Sequence, residues 1–369
     1  MDLYKIAASN LKGVGKQRLK QISLKTNGIN ALFEYDLNYL EKHFKIKKEL
    51  LISMNIPRAM IIARKQMAFN EKYGVQTLFM EDDNYPDLLK ECSDAPITLF
   101  YKGHISLKKR MISIVGTRRA SSYGKQNAEK LITSLKGQDI IVISGLAHGI
   151  DTFVHDCCVK YQIPTIGVLG HGLDTIYPRS NRNLAKAMLK NGGLLTEYGI
   201  DHKISKYCFP KRNRIIAGMS EATIVVESPS KGGAIITAEI ANGYNREVMA
   251  IPGSVFSDLS KGCNELIKTQ KAHLLEETGD LFQLMGWNIN SSKVSVTINL
   301  TRQESLIVEI LQKEKETHFD TLVSKLDLSV SSLHAIILNL DFLIPKFLDF
   351  AITPSLLISK SFILLSLYE

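Results

Sequence analysis

Cysteine is scarce and badly placed for a framework. There are five (Cys92, Cys157, Cys158, Cys208, Cys263), none in a CxxC spacing, and the adjacent Cys157 and Cys158 are poor partners for one another. That argues against a disulfide scaffold and a structural zinc site. Glycine and proline number 24 and 10, too few for a collagen-like or linker-dominated chain. No window reaches the ~18 uninterrupted apolar residues of a membrane-crossing helix. The N-terminal MDLYKIAASNLKG lacks the apolar core of a secretory leader. These absences lead to the expectation of a soluble, cytoplasmic protein with no membrane partner.

What is present is globular: 45% hydrophobic and 22% charged residues in a chain of 369. One core usually serves no more than ~250–300 residues, so two or three domains are expected. Lysine and arginine total 46 against 37 acidic residues, a net charge of +9. This excess leans toward a polyanionic partner without naming one.

The chain changes character twice. Residues 1–80 read as an all-α domain, with apolar positions at helical spacing such as Ala59, Ile61, Ile62, Ala63 and Met67. Residues 84–102 form a connector with Pro86 and Pro96, ending in the apolar run Ile97–Tyr101. From Met111, short β-branched runs alternate with helical stretches. They are Ile112–Val115, Ile140–Ile143, Thr165–Leu169, Gly193–Thr196, Thr223–Val226 and Glu247–Ala250. Strands this apolar on both faces predict an α/β domain over 84–284, a mostly parallel sheet flanked by helices. Ligands of such sheets sit beyond the strands' carboxyl ends. Here that means Gly116–Arg118, Ser144–Gly149, Gly170–Asp174 and Glu227–Gly233. After a polar linker at 285–300, helices are predicted at Gln303–Gln312, Phe319–Leu326 and Ser331–Leu340, the spacing of a winged-helix-like module over 301–369.

Five segments carry the chemistry. Gly116-Thr117-Arg118-Arg119 follows a strand and opens a helix, offering backbone N–H groups and a guanidinium to an anion. The gap from Gly116 to Gly124 is too long for GxGxxG, which disfavours a dinucleotide. Ser144-Gly145-Leu146-Ala147-His148-Gly149-Ile150-Asp151 has small residues that admit a close backbone approach. Its Asp151 stands i,i+4 from His155, so the two can pair, and Asp151 reads first as a helix cap. Phe209-Pro210-Lys211-Arg212-Asn213-Arg214 joins three cations to one aromatic, which suits the phosphates and bases of an unpaired strand. Glu227–Ala234 is a second Gly-rich turn, with Gly232 and Gly233, lacking the GxxxxGK[ST] spacing of a nucleotide-hydrolysing loop. Leu11-Lys12-Gly13-Val14-Gly15-Lys16 has the Gly-apolar-Gly turn of a helix-hairpin-helix. No catalytic residue, metal set or cofactor is assigned.

Other stretches complete an ordered set across residues 84–280. These are Ser113–Arg118, Val142–Asp151, Tyr177-Pro178, Phe209–Gly218, Glu227-Ser228 with Gly232-Gly233-Ala234, Thr237-Ala238, Pro252-Gly253 and Gly262–Ile267. Together they resemble the DprA/Smf family, bacterial DNA-processing proteins of natural transformation. The resemblance implies an extended Rossmann-like domain that binds single-stranded DNA. An N-terminal helix-hairpin-helix/SAM-like domain and a C-terminal winged-helix-like module would flank it. It further implies a homodimer that hands DNA to the RecA recombinase and displaces single-strand-binding protein. By position, the DNA-binding residues it implies are Gly116, Thr117, Arg118, Ser144, Gly145, Phe209, Lys211, Arg212, Asn213, Arg214, Gly232 and Gly233. Which of Lys206, Lys211 and Arg212 faces the strand stays open.

One feature departs from that pattern. A winged helix closes with a glycine-containing hairpin, yet no glycine follows Gly286 and the tail after Leu340 is apolar, ending Leu364-Leu365-Ser366-Leu367. The tail is therefore expected to be atypical, and either disordered or prone to aggregation. The competing reading is an enzyme on the same sheet, a nucleotide-phosphate hydrolase or phosphoribohydrolase with Glu227 or Glu239 as its acid. A pure interaction scaffold is the third.

Overall fold

The computed structural model describes residues 2–26, 28–287, 301–313, 319–326 and 328–343. The chain divides into two compact units, Met1–Ser291 and Ser292–Glu369.

The first unit opens with helices Asp2–Ser9, Lys16–Thr26, Ala31–Glu34, Leu37–Phe44, Lys48–Met54 and Ile56–Tyr73. Local chemistry sets their ends. Asp36 accepts the Tyr39 N–H at 2.8 Å, and Gly74, at φ +64°, stops the last helix with its N–H on Asn70. Ile6, Ala7 and Ala8 share a buried cluster with Ala59 and Ala63, and this cluster continues into Leu78, Leu99 and Phe100 of the sheet. The helices at the start of the chain therefore close one flank of the sheet.

The sheet has nine strands: β1 (Gln76–Phe79), β2 (Thr98–Gly103), β3 (Arg110–Val115), β4 (Ile140–Ser144), β5 (Thr165–Leu169), β6 (Gly192–Thr196), β7 (Ala222–Val225), β8 (Glu247–Ala250) and β9 (His273–Leu274). Their order is β1-β2-β6-β5-β4-β3-β7-β8-β9. The strands from β3 to β9 pair in parallel where they touch, and β2 joins β1 and β6 antiparallel. All six predicted runs are strands, within a few residues at their ends. The run inside the connector, not expected as a strand, is β2. Its alternate pairing lets a short segment with prolines nearby extend the sheet.

Side chains alternate between two apolar layers. Ile112, Ile114 and Val142 face helices Ser122–Ser134, Ile150–Lys160 and Thr278–Met285, while Met111, Val115 and Ile143 face helices Cys208–Met219, Gly233–Gly243 and Lys261–Lys268. The sheet unit runs past the expected boundary: Trp287 is buried, packs edge-on to Phe282 and carries the Arg110 guanidinium 4.6 Å from its ring.

In the second unit, helices Arg302–Lys313, Phe319–Leu326 and Val330–Leu343 meet at Ile307, Leu322 and Leu333. Ser329 accepts the Ser332 N–H at 3.2 Å, capping the third helix. These are the three expected helices. The tail after Leu343 and most of the linker lie outside the described residues.

His155 sits wholly inside, its Nδ1 2.7 Å from Thr165 Oγ1, and burial, with the Arg212 charge, pulls its pKa down to about 3. The folded value lies below the unfolded ~6.5, so its contribution is present above that pH and lost as pH falls toward 3. Between about pH 7.5 and about pH 5.5, wild type should lose about 1.4 kcal/mol more stability than His155→Gln in urea denaturation. Parallel losses in the two proteins would show that His155 is not buried neutral.

Candidate nucleic-acid interface

The chain leaves β3 toward β4, β5 and β6 on one side, then returns to place β7 on the other. This reversal opens a crevice at the carboxyl ends of β3 and β7, where open α/β sheets bind ligands. A cleft of about 320 Å³ lies there, bordered by Gly116, Thr117, Arg118, Lys206, Phe209, Asn213, Gly232 and Gly233.

Its floor is braced loop against loop. Thr117 is buried, and its N–H donates to the Glu227 carbonyl at 2.7 Å. The Glu227 carboxylate accepts the Ser121 N–H at 3.0 Å and its hydroxyl at 2.6 Å. Gly149, at φ +81°, has backbone that an ordinary side chain rarely adopts, and a Cβ there would run into the Thr117 carbonyl. Ile150 N–H in turn donates to Thr117 O at 3.1 Å. At Gly116 a Cβ would stand 2.5 Å from Ile150, so the first and second loops close only with glycine at both places.

The wall comes from helix Cys208–Met219. Phe209, Arg212, Asn213 and Ile216, spaced i, i+3, i+4 and i+7, share the face toward the cleft. Phe209 is half-buried, with the Arg118 guanidinium 5.7 Å from its ring centroid and the Tyr177 ring 5.6 Å away. Arg118 is exposed and makes no ion pair among the described residues. Lys206 is exposed at the rim. A hollow of about 30 Å³ adjoins the cleft, between Gly145, His148, His171 and Tyr177.

Arg212 is different. It is 4% exposed, and its guanidinium donates to Gly145 O at 2.5 Å, to Val168 O and to Asn213 Oδ1 at 3.1 Å. Burial lowers its pKa to about 10, against the opposing pull of Asp151. Burial raises the Asp151 carboxyl, which Arg212 counteracts, and that carboxyl accepts the N–H groups of Gly145 at 3.2 Å and Ala147 at 3.4 Å. Asp151 therefore closes its own loop instead of pairing with His155.

Nine of the twelve residues implied by sequence border the cleft or its adjoining hollow: Gly116, Thr117, Arg118, Gly145, Phe209, Arg212, Asn213, Gly232 and Gly233. Three do not. Ser144 is buried with its hydroxyl on Ile114 O at 2.7 Å. Arg214 is held by Glu197 at 2.5 Å and by the Asp94 carbonyl. Lys211 points the same way, 3.8 Å from Glu197, into a groove of about 720 Å³ beside Gly13, Gly15, Lys16 and Arg18. That groove is larger than the cleft but mixes its cations with Asp94 and Glu197. Its Lys16 is already tied to the carbonyls of Lys90 and Cys92 at 2.7 and 2.6 Å.

Tyr177, brought beside Phe209 from a distant loop, is the residue that sequence reading did not place in the site. Both acids of the enzymatic reading have partners: Glu227 accepts from Ser121 in the floor of the cleft, and Glu239 pairs with Lys271 at 3.5 Å. Among the described residues no three ligating side chains converge on a metal position.

The open sheet with helices on both faces, and cations, aromatics and amide-rich turns at its switch point, defines an α/β protein of the doubly wound class. Comparison with known proteins narrows this. Residues 76–286 match the DNA recombination-mediator protein A family, and the chain belongs to it. The DNA processing protein DprA of Streptococcus pneumoniae is 43% identical over 188 residues, covering 51% of this chain and 66% of that protein. The Bacillus subtilis protein of the same name is 40% identical over 230 residues, 62% of this chain and 75% of that one. The match thus spans just under two thirds of the pneumococcal relative. The X-ray structure of pneumococcal DprA superposes with a TM-score of 0.61 at 33% identity, over 78% of this chain and 97% of that chain. A Helicobacter pylori DNA processing protein A structure, described for its single-stranded DNA binding mode, gives 0.53 at 26% identity, over 58% and 98%.

Replacing Arg212 by Met leaves two buried carbonyls and the Asp151 carboxyl uncompensated. Urea denaturation should show a loss of about 3–5 kcal/mol. A loss below about 1 kcal/mol would mean that the guanidinium does not hold the strand ends together.

Proposed function

We propose that the chain binds single-stranded DNA at the switch-point cleft and acts by holding it, without turnover. The observation that carries this is the Arg118–Phe209–Tyr177 cluster: the Phe209 ring has on it both the Tyr177 ring and a guanidinium that makes no ion pair among the described residues, at the mouth of a glycine-lined cleft. The guanidinium suits a phosphate and the rings suit a base face, which every base offers. Gly116, Thr117, Gly232 and Gly233 line the phosphate path, Arg118 and Lys206 neutralise it, and Phe209 stacks. Arg212, Asn213 and Gly145 hold these groups in place. Ser144, Lys211 and Arg214 support the cleft from outside it.

On this reading the protein protects incoming DNA in natural transformation and passes it to the RecA recombinase, displacing single-strand-binding protein. It works as a cytoplasmic homodimer. The names of its relatives, DNA processing proteins, and of its family, a recombination mediator, support that role. The H. pylori structure supports the ligand. We also assign the first helices to a helix-hairpin-helix/SAM-like module and the last three to a winged-helix-like one.

Arg118→Ala should weaken binding to unrelated oligonucleotides alike and flatten the slope of log affinity against log salt by about 0.7. Phe209→Ala should cost about 1–3 kcal/mol regardless of base sequence. Fluorescence anisotropy at several salt concentrations measures both. An unchanged slope in Arg118→Ala would rule out a phosphate contact at that residue.

A further inference from the structure

The loop after β8 carries an aromatic ring that none of the described residues covers. Phe256 is 95% exposed and its neighbour Val255 74%. The loop beneath them is firmly built. Asn264 clamps Gly253, accepting its N–H at 3.1 Å and donating to its carbonyl at 2.9 Å. The Tyr123 hydroxyl donates to Pro252 O at 2.5 Å, and Ser257 and Ser260 close successive turns at 3.0 and 3.1 Å. The backbone that carries the ring is thus fixed, and binding would order the side chain alone.

Its position points to the occupant. β8 is one strand from β7 and two from β3, so the loop leaves the same edge of the sheet about 10 Å from the Gly116 turn. The two sites are continuous: Gly262 N–H donates to Ser228 O at 2.9 Å, seating the end of this loop against the turn that walls the cleft. The surroundings are polar and weakly cationic. Lys231 is exposed on that turn, Asp258 is neutralised by Lys261 at 2.6 Å, and Ser254 and Ser257 flank the ring. Protein-docking patches are contiguous over several hundred Å². One ring and a valine among serines and lysines match the face of a single base.

We propose that Phe256 is a second stacking platform, on which an unpaired strand leaving the cleft over the Gly232–Gly233 turn lays a base. This rests on the reading of the cleft as a single-stranded DNA site and extends that site across three strand ends.

The test compares dT oligomers of about two and about ten nucleotides, binding the full chain. Phe256→Ala should bind the short oligomer like wild type and the long one about 5- to 150-fold more weakly. Phe209→Ala should weaken both. In Phe256→Trp the added indole should be quenched by the long oligomer and not the short, with wild type giving the Trp287 baseline. If Phe256→Ala matches wild type on both lengths while Phe209→Ala is impaired, the cleft reading stands and this inference falls. If Phe256→Ala instead sediments as a smaller species with unchanged DNA affinity, the ring belongs to a second copy of the chain and the inference again falls. A wild-type protein that binds neither oligomer overturns both.

Discussion

Arg212 carries a full positive charge to a place that water does not reach. Such burial is costly unless every donor finds a partner. Here the guanidinium ties the chain just past β4 to the end of β5, through Gly145 O and Val168 O, and leans on Asn213 and the field of Asp151. Asp151 then draws in the amides of Gly145 and Ala147, and Gly149 presses the same loop against Thr117. Three loops from separate strands are thereby fixed to one another and to helix Cys208–Met219. Phe209 and Arg118 inherit their positions from that knot.

The same helix sorts its cations by angle. Residues two apart on a helix point to nearly opposite sides. Arg212 goes inward to the strand ends, whereas Lys211 and Arg214 turn toward Glu197 and the N-terminal helices. Charge at the mouth of the cleft therefore comes from Arg118 and Lys206. A small number of exposed cations near stacking rings favours binding that tolerates any base order and weakens with salt.

The central strands were legible in the sequence because they are buried on both faces and read as unbroken apolar runs. Thr165–Leu169 and Glu247–Ala250 match to the residue. The edge was not: β1, β2 and the two-residue β9 are short and take their strand form from neighbours, which no local pattern records. In the site, the turn glycines and Phe209 were legible because a strand running into glycine and then a helix has few uses. The fates of Ser144, Lys211 and Arg214 were hidden, since cation-rich composition does not say which side chains face inward. The i, i+3, i+4, i+7 spacing of Phe209, Arg212, Asn213 and Ile216 was the available clue. Tyr177 lies too far along the chain for any spacing rule to bring it beside Phe209.

The account comes down to whether fixed strand ends hold an unpaired polynucleotide backbone. Titration of a fluorescent dT oligomer at two ionic strengths, against a duplex of equal length, tests this most directly. Strong preference for the single strand, with affinity falling steeply as salt rises, is the predicted result. Equal affinity for duplex, or no binding at low salt, would contradict it.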